Sequence, residues 1–135
     1  MPHANSLQAA ASAARTTGPA LEAMYQFLLW LIPTVEKFPR SQKFLLGDRL
    51  QVQALAVLDS LIAATYTRER GEHLRAANLG LEKLRVGVRL AKDLKHLDFT
   101  RYEHAVRAME EIGRMVGGWI KSHAGVPVRF HAGSE

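Results

Sequence analysis

The stretch that decides the fold is Leu74 to Leu97, LRAANLGLEKLRVGVRLAKDLKHL. It has no proline, and its only interior glycines are Gly80 and Gly87. At 100° per residue, Leu74, Leu81, Leu84, Val88 and Ala91 fall on one face of a helix. Leu79, Val86, Leu90, Leu94 and Leu97 fall on a second face, roughly opposite. Between the two runs a charged strip of Arg75, Glu82, Arg85, Arg89, Lys92 and Asp93. A helix in a lone small bundle needs one buried face. A helix with two either sits deep in a core or touches a second body.

Outward from this helix, the same spacing recurs on both sides. Gly18-Pro19 marks a boundary, with Pro19 suited to a first helical turn. Helix one is expected from about Ala20 toward Lys37, on Leu21, Met24, Phe27, Leu28, Leu31 and Val35. Pro33 inside this pattern is expected to kink or restart it. Phe38-Pro39-Arg40-Ser41 is the next break, with Ser41 as a cap candidate. Helix two is expected over about Gln42 to Thr67. Phe44, Leu50, Leu58, Leu61 and Ile62 give it a wide apolar face, and Leu45, Val52 and Ala56 lie off that face. Thr67 is a cap candidate for helix three, which covers about Glu72 to Lys95. His96-Leu97-Asp98 is a short turn, with Asp98 capping helix four. Helix four is expected over about Phe99 to Ser122, with Phe99, Tyr102, Val106, Met109, Ile112, Val116, Trp119 and Ile120 on one face. Ala124-Gly125 is expected to end it. Four such helices with short connections imply an all-α, antiparallel up-down four-helix bundle over residues 19–123. Residues 1–18 read as a flexible leader and 124–135 as a flexible tail.

The composition bounds the function. A chain of 135 residues, 47% hydrophobic and 23% charged, suits one globular domain. The net charge of +5 leans toward phosphate-bearing partners. The 13 acids beside 18 Lys and Arg equally allow an ordinary mixed surface. With 0 Cys, thiolate catalysis, disulfides and Cys-based metal sites are excluded, which fits a cytoplasmic setting. No run of apolar residues is long enough for a membrane span.

No catalytic pattern is present. His73, His96, His104 and His123 form no His-x-x-x-His pair and no Glu-x-x-His carboxylate pattern, so no metal site is expected. Glu110 and Glu111 sit between Arg107 and Arg114 at i,i+4 spacing, which suits surface ion pairs rather than acid–base work. There is no nucleophile elbow, phosphate-binding glycine loop or dinucleotide fingerprint. The expectation is no enzyme and no cofactor.

Two features remain. Gly113, Gly117 and Gly118 each cost about 1 kcal/mol against Ala within a helix, so Gly113-x-x-x-Gly117 points to close helix packing, within the bundle or between subunits. The basic residues cluster in three places. Arg85, Arg89 and Lys92 lie on helix three. Arg68, Arg70 and Arg75 crowd the junction before it. Arg40, Lys43 and Arg49 open helix two. They suit phosphate backbones read without regard to sequence. Solvated faces neutralised by Glu69, Glu72, Glu82 and Asp93 fit the same pattern, and no exposed aromatics for base stacking stand out.

The segment Glu111-Ile112-Gly113-Arg114-Met115-Val116-Gly117-Gly118-Trp119-Ile120 resembles the closing signature of the accessory variability determinant family. Pro33, Phe38-Pro39-Arg40, Phe44, Gly47 and the pattern Leu81-x-x-Leu84-Arg85-x-x-x-Arg89-Leu90 follow the same order of landmarks. The resemblance covers about Tyr25 to Lys121. It extends, less closely, to small four-helix bundle proteins encoded within intervening sequences of bacterial 23S ribosomal RNA genes. Their Asn-Ile-Ala-Glu-Gly-like element is replaced here by Leu61-Ile62-Ala63-Ala64-Thr65. The resemblance implies a non-catalytic accessory protein of a diversity-generating retroelement. It implies a barrel-like homopentamer with a basic surface that binds a reverse transcriptase and nucleic acid, RNA or DNA, during mutagenic copying. On the strip's charge, the residues expected at phosphates are Arg75, Arg85, Arg89, Lys92 and Arg114. Those expected between subunits or against a neighbouring helix are Leu79, Val86, Leu90 and Leu94. The alternative reading is a structural interaction module of the wider bundle family, without nucleic acid.

Overall fold

A computed structural model describes the backbone of residues 18–131 and the side chains of residues 18–123. Helix α1 is Pro19–Val35. Helix α2 spans 40–66 and has three parts: a short α-helical start Arg40–Gln42, a π-helical turn Lys43–Gly47 and a regular stretch Asp48–Tyr66. Helix α3 is Arg70–Asp93 and α4 is Phe99–His131. Among the described residues there are no strands. Each helix packs on its neighbours in sequence, and α4 closes the square against α1. Short connections between sequential neighbours make this an up-down bundle.

The core follows the first of the two α3 faces. Leu74, Ala77, Leu81, Leu84, Val88 and Ala91 are fully buried. They meet Met24, Phe27, Leu28 and Leu31 of α1, Leu50, Ala54, Val57, Leu61 and Ala64 of α2, and Ala105, Met109, Ile112 and Val116 of α4. Full burial of each larger aliphatic side chain contributes on the order of 1.5–3 kcal/mol. This interior is the main source of stability.

The helix ends explain where the sequence reading holds and where it slips. Gly18 precedes α1 with φ 95°, a conformation suited to glycine, and Pro19 fills the first turn. Pro33 lies in the last turn of α1, which stops at Val35 instead of restarting. The buried Thr34 hydroxyl donates to the Trp30 carbonyl at 2.7 Å. Pro39, not Ser41, precedes α2. Thr67 takes an extended conformation that ends α2 rather than capping α3, whose first flanking residue is Glu69. The Arg70 side chain instead reaches back to the Ala64 carbonyl, at 3.0 Å. Asp98 does cap α4: its carboxylate accepts from the Arg101 amide at 2.8 Å and from the Arg101 guanidinium at 2.6 Å.

The end of α3 is a Schellman motif. The His96 amide donates to the Ala91 carbonyl and the Lys95 amide to the Lys92 carbonyl, both at 2.9 Å. Lys95 occupies the left-handed position, φ 68°, where glycine is usual. The turn folds Leu97 back into the core at 5% exposure, so Leu97 belongs to the interior and not to the second α3 face. Phe44 and Phe99, assigned to buried faces by their spacing, are both exposed. For Phe44 the reason is the π turn, which carries one extra residue and turns Leu46 and Gly47 inward in its place. Phe99 is the first residue of α4. Helix α4 also continues to His131, past the expected stop at Ala124-Gly125. Glycine permits a helix to end but does not force it. Residues 1–17 and 132–135, the bulk of the expected leader and the end of the expected tail, lie outside the described residues.

Candidate oligomer and nucleic-acid interfaces

The second α3 face is open to solvent. Leu79, Val86, Leu90 and Leu94 are 48–62% exposed. They form one wall of an apolar groove whose other wall is Leu45, Val52 and Ala56 of α2. The groove holds about 1150 Å³. Among the described residues no helix covers Leu79, Val86, Leu90 and Leu94, and contact with a second body would remove them from water.

Two glycines shape the groove by letting its helices approach closely. A Cβ at Gly80 would lie 2.7 Å from Val57 Cγ2, and one at Gly87 would lie 2.6 Å from Leu50 Cδ2. Both distances are far inside ordinary contact, about 3.5–4.0 Å between carbons. The floor also carries Gln53, whose buried Oε1 has no hydrogen-bond partner among the described residues. An unpaired buried acceptor is costly, and a donor from outside would relieve it.

A further exposed apolar flank was missed by the helical spacing of α1. Tyr25, Leu29 and Ile32 lie at i, i+4 and i+7 and are 48%, 55% and 39% exposed. Trp30, whose ring lies tilted 4.5 Å from that of His104, marks the α4 side of α1. The 100° rotation places Tyr25, Leu29 and Ile32 away from it, on the α2 side. The signal was present: apart from Glu22, Pro19–Val35 contains no charged residue, as in a helix that is apolar all round.

The basic strip divides into two kinds of residue. Arg85 turns toward α4. Its guanidinium donates to Glu82 at 2.8 Å and to the Met109 carbonyl at 3.3 Å. It occupies the space left by Gly113, where a Cβ would sit 2.5 Å from Arg85 Nη2. Gly113 therefore admits a side chain rather than another backbone, while Gly117 and Gly118 face open space. Lys92 is similarly engaged, 2.9 Å from Asp93 and 4.8 Å from the centre of the Tyr102 ring. Both side chains are 34% exposed.

Arg89 and Arg114 are open, at 72% and 70% side-chain exposure. Arg89 makes only a loose 3.8 Å pair with Asp93, and Arg75 is exposed at the start of the same strip. The Asp93 carboxyl is held below its ordinary range, first by the hydrogen bond from Lys92 and, against the opposing effect of burial, by the charges of Lys92 and Arg89. On α4, Arg107 pairs back to Glu103 at 3.0 Å, and Arg114 pairs with Glu111. These replace the Arg107–Glu111 and Glu110–Arg114 pairs expected from spacing.

Among the described residues, no three His, Asp or Glu side chains converge as a metal site would require. No helix there is long and apolar enough to cross a membrane.

Taken together, these features define a class: a small helical bundle with a complete core and apolar surface left over for association. A family model described as bAvd-like matches residues 20–123, and the chain belongs to that family. This agrees with the accessory variability determinant resemblance carried by Glu111 to Ile120. No curated protein and no solved structure matches the chain.

Proposed function

We propose that this protein is a non-catalytic accessory subunit of a diversity-generating retroelement. It works in the cytoplasm as a ring-like homo-oligomer, a pentamer by its resemblance, and binds the reverse transcriptase and the backbone of RNA or DNA. The observation that carries the reading is family membership over residues 20–123, joined to an exposed apolar groove that a solitary bundle does not need. Assembly uses Leu79, Val86, Leu90 and Leu94.

Phosphate contact falls first to the open Arg75, Arg89 and Arg114. Arg85 and Lys92, which also hold α3 to α4, contribute from the edge of the same strip. Repeating the strip around a ring multiplies a modest charge per subunit into a continuous basic surface, which suits binding without sequence preference.

The test is fluorescence anisotropy with a structured RNA and a DNA duplex over a range of salt. Wild-type binding is expected to weaken steeply with salt, with a log–log slope of about −0.9 per phosphate neutralised on a duplex. Reversing Arg85 and Arg89 to Glu together is expected to abolish binding. Unchanged binding at low salt would refute the assignment of this surface. Weak wild-type binding that vanishes at modest salt with a shallow slope would favour the structural-module reading, which the engagement of Arg85 and Lys92 within the bundle supports.

A further inference from the structure

We infer that the groove between α2 and α3 is filled by the α1 flank of a second copy of this chain, with Tyr25, Leu29 and Ile32 seated against Val52, Val86 and Leu90. The inference rests on the homo-oligomer reading above and adds to it the second face of the contact.

Shape is the first argument. The groove is concave, between helices that Gly80 and Gly87 allow close together. Groove against groove would enclose two such hollows of about 1150 Å³ each with nothing to fill them, and unfilled space between apolar walls forfeits contact energy. A ridge of large side chains at i, i+4 and i+7 is the complementary form.

The economy of exposed surface is the second. A two-fold groove-to-groove dimer leaves Tyr25, Leu29 and Ile32 in water. A flank-to-groove contact covers both faces of every copy, because each subunit gives its flank to one neighbour and its groove to the other. Such head-to-tail contacts generate rings when the rotation closes.

Polarity is the third. The exposed stripe of α1 carries Glu22, with no basic residue between it and the helix end, while Glu36 just past that end is already paired with Lys43 at 2.9 Å. The groove is rimmed by Arg49 and Lys83, and its one lining acid, Glu82, is already paired with Arg85. Opposite charges at the rim favour this pairing and disfavour groove on groove. Tyr25 brings a hydroxyl donor to a face whose floor holds the unpaired Gln53 acceptor.

The test uses two single variants and their mixture, with mass measured by size-exclusion chromatography with light scattering. Leu90→Asp spoils the groove and leaves the flank; Leu29→Asp spoils the flank and leaves the groove. Both positions are about half exposed, and circular dichroism confirms the fold of each. Tyr25→Lys repeats the flank test at a second exposed position. Each variant alone is expected to run as a monomer. Mixed in equal amounts, they are expected to form a one-to-one dimer through the single intact contact and to grow no further. If Leu29→Asp and Tyr25→Lys keep the wild-type mass while Leu90→Asp does not, the groove is a subunit contact but the α1 flank does not fill it. Two monomeric variants that fail to combine also overturn the pairing. A monomeric wild type overturns the homo-oligomer reading itself. Binding of the monomeric wild type to a separately supplied reverse transcriptase that Leu90→Asp abolishes would reassign the groove to that partner.

Discussion

Replacing Gly80 with alanine tests whether the close approach of α2 and α3 is rigid. Two effects oppose each other. Alanine is favoured over glycine within a helix by about 1 kcal/mol. The new methyl, however, would meet Val57 Cγ2 at 2.7 Å, about 1 Å inside ordinary contact. Val57 is 1% exposed and, being β-branched, has little rotamer freedom in a helix. Overpacking of this kind costs about 1–3 kcal/mol, so Gly80→Ala is expected to be net destabilising by about 1 kcal/mol. Gly117→Ala is the internal control, because nothing lies within 4 Å of its Cβ. It keeps the propensity gain and is expected to stabilise by about 1 kcal/mol, or roughly 4 °C in Tm for a domain of this size. The difference between the two variants isolates the packing term. Urea titration of both proteins measures it, with Val57→Ala completing a double-mutant cycle. Removing the valine methyls makes room for the alanine, so the double variant is expected to be more stable than additivity allows by about 1–2 kcal/mol. Equal stabilisation by Gly80→Ala and Gly117→Ala, or an additive cycle, would refute the argument that these glycines exist to bring the helices together.

Two further outcomes follow from the turn after α3 and from the split of the basic strip. Lys95→Gly removes a left-handed lysine from the Schellman motif and is expected to stabilise the fold by about 1 kcal/mol, read as a higher urea midpoint at unchanged slope. Arg85→Glu is expected to lower Tm by a few degrees, since it places a carboxylate beside Glu82 and against the Met109 carbonyl, whereas Arg89→Glu leaves Tm within about 2 °C. Equal thermal effects of the two reversals would mean that Arg85 does not hold α3 to α4.

The bundle was legible because its evidence is periodic. The two faces of α3 separate on spacing alone, and the structure buries one and leaves Leu79, Val86, Leu90 and Leu94 of the other in solvent. The errors fall where periodicity breaks. No rule of spacing anticipates the extra residue of the π turn, so Phe44 was placed inside. Leu97 follows the phase of α3 on paper but lies beyond the helix end, in a turn that redirects it. The basic strip was legible as charge and not as geometry. Nothing in the order of residues says that Arg85 bends toward Gly113 while Arg89, one turn on, stays largely in solvent. The α1 flank was overlooked because a helix with enough apolar residues for one face invites no search for another.

The π turn at Lys43–Gly47 also bears on how such chains vary between species. It lies between two fixed points, Phe38, which is buried with its ring tilted 5.7 Å from that of His96, and Leu50, which is buried against α3. Deleting one residue there would restore ordinary pitch and keep the two anchors in their present phase, because the wide turn is what absorbs the extra residue. The segment is thus a natural place for a one-residue gap in lineages of this family. Chains carrying the gap are expected to lack the outward Phe44-Leu45 pair, and with it part of the rim that a neighbour would grip.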